Sequence, residues 1–226
     1  ESHALIAGLS GAAMAAAGPS VLMWQGWSKT LMGLLFSTVL GCFGGLTFAI
    51  VIQLFFANLS PAPCRKGFGF AQIFSSMLMA FSHGSNDAQK VMGIITLSLV
   101  SGGYLNSVDV PFWVILICAL AMGLGTALGG WKVIKTMGVH MLKLEPVHGF
   151  AAETSATAII LGASHFGLPV STTHVIATAI MGVGATKRLS AVRWGIAGKI
   201  VLAWIFTLPA CSLLAWLLCK IAITMK

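Results

Sequence analysis

The feature that most constrains this chain is a polar run held between two apolar ones. From Ala80 to Val91 the sequence reads Ala-Phe-Ser-His-Gly-Ser-Asn-Asp-Ala-Gln-Lys-Val. It places an imidazole, a carboxylate, an ammonium and two amides between an apolar stretch ending near Met79 and another beginning at Val91. Neither flank is polar enough for a water-exposed loop. As helices, Phe68 to Ser82 and Val91 to Val100 would be ~22 Å and ~15 Å long, each short of a ~30 Å hydrocarbon core but together sufficient. The expectation is one membrane-crossing element broken near its middle at Gly84 and Ser85, with the freed backbone groups lining a polar cavity. An ionisable group at that depth is a functional candidate by default.

Composition agrees. A chain of 226 residues that is 58% hydrophobic and 8% charged lies outside the range of soluble domains and reads as an all-α integral membrane protein. The net charge of +8 comes from 13 Lys and Arg against five acids, and the basic residues fall mostly in short links between apolar runs. That distribution describes topology and argues against a nucleic-acid partner. The five cysteines show no CxxC spacing and carry no metal or disulfide expectation.

In chain order, residues 1–18 form a small-residue apolar run, and Thr30 to Ala57 is long enough to span when tilted. A link, 58–67, carries two prolines with Arg65 and Lys66. After the broken element, Phe112 to Trp131 is a span with tryptophans at both ends. A basic connector leads to 150–184, two short apolar runs separated at Gly167, Leu168 and Pro169. These could be two tight spans or one re-entrant helical hairpin. The hairpin is preferred because Pro169 and Ser171 to Thr173 open the second arm as a helix start would. Trp194 to Ile223 closes the chain as a last span containing Pro209. With basic links inside, 58–67 is cytoplasmic.

The chain also repeats itself. Ser2, His3 and Gly11 align with Thr173, His174 and Gly182 at an offset of 171 (173 minus 2), and Trp27 aligns with Trp194 at 167 (194 minus 27). Three crossings separate the copies, so the second must be inverted. The expected division is 1–57 as the end of a first inverted repeat and 68–226 as the second. On this reading the chain opens mid-motif.

Two constellations carry chemistry: Ser85, Asn86, Asp87, Gln89 and Lys90, and the helix start Ser171, Thr172, Thr173 and His174 with Glu153 in the preceding arm. Hydroxyls and unpaired N–H groups at a helix N-terminus suit an anion. Asp87 beside a bound oxyanion in low dielectric requires a cation or proton between them, which is the physical content of symport. Against this stand structural roles. The hydroxyls could bond the i−4 carbonyl or bridge helices, and Asp87 and Lys90 could be an internal ion pair. Likewise His3 and His174 could be hydrogen-bonded packing residues.

The runs Phe81 to Ile95 and Leu168 to Ile176, followed by Ile180 to Gly184, resemble the second-repeat signatures of the inorganic phosphate transporter (PiT) family, bacterial type. The resemblance implies an inverted-repeat carrier in the bacterial inner membrane, multi-pass, that takes up phosphate, as such or as metal-phosphate, with H+ or Na+. By position it implies Asn86, Asp87, Ser171, Thr172, Thr173 and Ser2 as substrate-binding residues. Asp87, Asn86, Glu153 and Ser85 are implied for the coupling ion, with Lys90 and Gln89 as charge partners. Lys90 stands where many relatives have Asn. No cofactor and no resident metal beyond a coupling Na+ is implied. The implied partners are phosphate, the coupling cation, the bilayer, an N-terminal half of the same protein and a second copy. A sulfate or other oxyanion symporter and an anion channel remain alternatives. A membrane hydrolase is disfavoured, because no GxSxG or HExxH occurs.

Overall fold

The structure, a computed structural model, describes residues 2–225, so both chain ends of the expected domain division lie outside the described residues. The main helices are α1 (Ser2–Ala17), α2 (Trp24–Phe56), α3 (Pro61–Ser101), α4 (Phe112–Gly129), α5 (Trp131–Lys135), α6 (Pro146–His165), α7 (Thr172–Lys187) and α8 (Trp194–Thr224). A π-helical turn, Thr136–Met141, follows α5. The described residues form no strand. The integral-membrane reading is borne out by α2, α4 and α8, which are long and apolar enough to cross a bilayer.

The expected break at Gly84 and Ser85 does not occur. Helix α3 runs 41 residues without interruption, about 61 Å at the standard rise, and most of the expected link 58–67 forms about its first two turns. The reason is visible on its surface. Ser82 and Thr96 turn their hydroxyls back onto the carbonyls of Leu78 and Met92 at 2.8 Å, so they need no freed backbone. His83, Asp87 and Lys90 stand at i, i+4 and i+7, on one face, where they satisfy one another. A polar run that neutralises itself along a helix stripe can be buried without breaking the helix.

Residues 150–184 do form two arms, α6 and α7, joined by six residues, 166–171, that turn at Gly167 with φ of 62°. These arms, rather than the long spans, form the core. Ala152, Ala156 and Ile160 of α6 pack with Val175, Ala179 and Val183 of α7 and with Ala49 and Ile52 of α2. The spans turn their large side chains outward: Phe43 and Leu54 on α2, Leu124 on α4 and Phe206 on α8 are all exposed, as lipid-facing residues are. Beyond the arms, the Lys187 ammonium donates to Glu145 Oε1 at 2.9 Å and holds that carboxyl below its usual range. The pair's small contribution is therefore present at neutral pH and lost as pH falls through the lowered value.

Helix α2 meets α7 along a stripe of small residues at every fourth position: Gly33, Ser37, Gly41, Gly45 and Ala49, all buried. A Cβ on Gly33 would strike the Pro169 carbonyl, and one on Gly45 the Ala179 carbonyl. From the other side, a Cβ on Gly182 would strike the Cys42 carbonyl. The element order helix, 3-10 turn, long helix occurs twice, as α1, Pro19–Val21, α2 and as α7, Leu189–Ala191, α8. The partners are exchanged between the copies, α1 packing on α8 and α2 on α7. Gly11, the counterpart of Gly182, lies correspondingly against the Ser212 backbone of α8.

This contact yields a direct test. Gly182→Ala should destabilise the protein by about 1–3 kcal/mol, because the added methyl meets backbone that cannot rotate away. Gly195→Ala, on α8 with open space around it, should be neutral or slightly stabilising. Melting temperatures in detergent would distinguish them, and indistinguishable values would show that α2 and α7 do not approach so closely.

Candidate functional site

Helix α3 supplies the charged stripe, and two other helices bring their first residues to it. Asp87 is 4% exposed, and both its carboxylate oxygens are engaged. Oδ1 accepts from Lys90 Nζ at 3.1 Å and, at the edge of bonding range, from Ser2 Oγ at 3.5 Å. Oδ2 accepts from Thr172 Oγ1 at 3.0 Å and lies 3.1 Å from His83 Nε2. Lys90 spends its other donors on Ser2 Oγ at 2.6 Å and the Val170 carbonyl at 3.4 Å. The cluster therefore joins α1, α3, the 166–171 turn and the start of α7. Its charges cancel when His83 is neutral, which is what makes burial tolerable.

The start of α7 is held from α2. Ser171 N–H donates to Ser37 Oγ at 3.0 Å, and Ser171 Oγ pairs with Thr173 Oγ1 at 3.1 Å. Ser171 is the N-cap residue, yet its side chain makes no capping bond to the first turn. The first-turn amides are thus left uncapped by side chains, pointing the positive end of the helix dipole toward the cluster. Beside Asp87 and Lys90 is a cavity of about 270 Å³, lined also by Ser2, Ala4, Leu5 and Val91. Chemically the cavity offers an oxyanion the Lys90 ammonium and the Ser2 hydroxyl, with the Asp87 carboxylate beside them for a cation or an acidic O–H, and the start of α7 adjoins it through the Thr172–Asp87 bond.

Of the residues singled out from the sequence, Asp87, Lys90, Ser2 and Thr172 meet directly, with Ser171 and Thr173 adjoining. Asn86 is buried next to Asp87 but donates to Ser164 Oγ on α6 at 3.0 Å. Ser85 faces a different cavity, between α3 and α4, and Gln89 is exposed. Glu153 is not brought to Asp87. It accepts from Ser75 Oγ at 2.5 Å and Ser76 Oγ at 3.0 Å, and Ser75 precedes Asp87 on α3 by twelve residues, about 18 Å. His83, Ser37 and the Val170 carbonyl were not singled out. The signal for His83 was its i, i+4, i+7 spacing with Asp87 and Lys90. The signal for Ser37 was the every-fourth-residue stripe.

The ion pair can be tested by a cycle. Lys90→Met leaves Asp87 buried with a remaining hydroxyl and imidazole, and should destabilise the fold by about 3 kcal/mol. The double variant Asp87→Asn with Lys90→Met should recover much of that loss. If the two single costs simply add, the 3.1 Å contact carries no coupling energy.

Comparison with known proteins bears out the resemblance. A sequence profile described as the phosphate transporter family matches residues 59–215. A probable low-affinity inorganic phosphate transporter of Rhizobium meliloti (strain 1021) is 46% identical over 216 residues, covering 95% of this chain and 65% of the relative. A protein of the same description from Bacillus subtilis (strain 168) is 44% identical over 210 residues, covering 92% and 63%. The chain thus spans just under two thirds of the length of these relatives. A solved structure described as the sodium-dependent phosphate transporter superposes with a TM-score of 0.85 over 100% of this chain and 74% of that one. At 22% identity that likeness speaks for the fold alone. With the profile covering well over half of its length, the chain belongs to the phosphate transporter family.

Proposed function

We propose that this chain forms part of a secondary carrier that takes up inorganic phosphate together with a cation, H+ or Na+, across a bacterial inner membrane. The observation that carries the reading is the convergence of the uncapped start of α7 on the buried Asp87 and its partly exposed partner Lys90. The helix amides, Ser171, Thr172, Thr173 and Lys90 favour a tetrahedral oxyanion. The Asp87 carboxylate would repel it unless a cation or an acidic hydrogen comes with it. The names of the two bacterial relatives and the family description support phosphate as that oxyanion.

Sulfate is the second reading, and Asp87 argues against it. At neutral pH phosphate keeps a P–OH that can donate to a carboxylate, whereas sulfate has no hydrogen to offer. The remaining part of a longer protein and a second copy of the chain are proposed partners. Asn86, Ser2 and Ser85 keep the roles proposed from the resemblance, and Glu153 is proposed as a cation site separate from the Asp87 cluster, held by Ser75 and Ser76.

The test is uptake of radiolabelled phosphate into proteoliposomes holding the longest available form of the protein, with Na+ and pH gradients imposed separately and sulfate as competitor. Uptake should be saturable, should follow one of the two gradients and should resist sulfate. Asp87→Asn should weaken dependence on the gradient more than it weakens phosphate affinity, while Thr172→Val should lower affinity at least tenfold. Gradient-independent uptake in the wild-type protein would overturn symport. Asp87→Asn uptake with unchanged gradient dependence would make Asp87 structural.

A further inference from the structure

One buried pair of titratable groups is not used by the cluster at Asp87. His3 on α1 and His174 on α7 are counterparts in the internal repeat (174 minus 3 is 171), and their rings face each other with centroids 5.0 Å apart and planes tilted by 47°. They are 4% and 5% exposed. His3 Nδ1 and both ring nitrogens of His174 have no hydrogen-bond partner. Three orphaned polar atoms on two adjoining imidazoles are unusual, since buried nitrogens are nearly always satisfied. His174 is also stacked on Trp204 of α8, with ring centroids 3.7 Å and planes 26° apart. An indole face attracts a cation.

We propose that His3 and His174 act as one proton-binding unit between α1 and α7. A neutral imidazole has one donor and one acceptor nitrogen, and the imidazolium has two donors. One added proton turns an N–H···N contact between the rings into a charge-assisted one, and Trp204 offers that charge a π face. A second proton would put two like charges 5.0 Å apart in a low dielectric, so the pair takes one and stops. No bond other than N–H is made or broken, and the proton comes from solvent.

The rings face each other. On α8 the neighbour is Trp204, and on α2 the Leu34 backbone is close to His174 without reaching hydrogen-bond geometry. On α3 the titratable and charged groups are His83, Asp87 and Lys90, of which Asp87 and Lys90 are contacted by the residues one before His3 and two before His174, Ser2 and Thr172. The Asp87 and Lys90 charges cancel and His83 already lies against Asp87 Oδ2, so the imidazole pair is a proton site separate from that cluster. Resting on the phosphate reading above, the pair then adds a positive charge beside the anion, in addition to whatever cation Asp87 accepts. The proton loads when phosphate reaches the start of α7.

The experiment is a pH titration of imidazole 15N shifts in histidine-labelled protein in lipid nanodiscs. His3 and His174 should share a single one-proton step, each about half loaded. Replacing one ring (His3→Gln) should move the His174 midpoint by about one pH unit, a tenfold change in proton affinity. Two independent one-proton curves would overturn the pair, and the wild-type spectra decide this even if His3→Gln fails to fold. Saturating inorganic phosphate should raise the shared midpoint by about one unit. A midpoint unmoved while radiolabelled phosphate is shown to bind would overturn the link to the anion. A shared step in protein that binds no labelled phosphate would keep the proton pair and sink the phosphate reading.

Discussion

The closeness of α2 to α7 is the contact on which the rest depends. Between helices surrounded by lipid there is little hydrophobic driving force, and association comes from dispersion, backbone proximity and interhelical hydrogen bonds. The stripe Gly33, Ser37, Gly41, Gly45 and Ala49 lets two backbones approach until carbonyls lie where side chains would otherwise be. Ser37, the one polar member of that stripe, takes the Ser171 N–H at 3.0 Å. The same surface that packs the arm therefore also sets the height and rotation of its first turn, and Thr172 reaches Asp87 as a result.

Electrostatics then decides what α3 can be. A lone carboxylate at this depth would be costly, and the sequence around it supplies its own compensation at helical spacing through His83 and Lys90. The neighbouring helices add hydroxyls rather than further charge. The result is a buried cluster close to neutrality whose donors are contributed by three helices, so that its geometry reports on their relative positions. A cluster tied to one helix alone could be intact in any arrangement of the bundle; this one cannot.

The membrane class, the spans, the two-armed hairpin and the helix start at Ser171 to Thr173 were legible in the sequence, because length and hydropathy of the runs and the turn chemistry at Gly167 and Pro169 are local properties. The continuity of α3 is not legible in the same way. Gly84 and Ser85 look like a break when the polar run is taken as a string, and look like two tolerated positions once His83, Asp87 and Lys90 are placed on a helical face. The sequence sets Asp87 and Lys90 in one constellation and Thr172 with Glu153 in another, with Ser2 entering through the resemblance; the fold joins Ser2, Asp87, Lys90 and Thr172 and leaves Glu153 with Ser75 and Ser76. Sequence proximity to the hairpin turn says nothing about depth along an arm of 20 residues. His3 and His174 show the reverse case: the repeat made them counterparts, but only the fold reveals that the counterparts touch and lack other partners.

Helices α3 and α6 meet in a single register. Ser75 bonds Glu153, Met79 receives the Thr157 hydroxyl and Asn86 bonds Ser164, each pair 78 residues apart in sequence. Two parallel rods pinned at matching positions behave like a ruler laid against its copy. A slide of either rod breaks every pin at once, and the next alignment lies a full turn, about 5.4 Å, away. The carboxylate of Glu153 and the charged cluster at Asp87 sit at opposite ends of that ruled stretch. Their spacing is held by the stiffness of α3, so a displacement that disturbs one end is transmitted undiminished to the other.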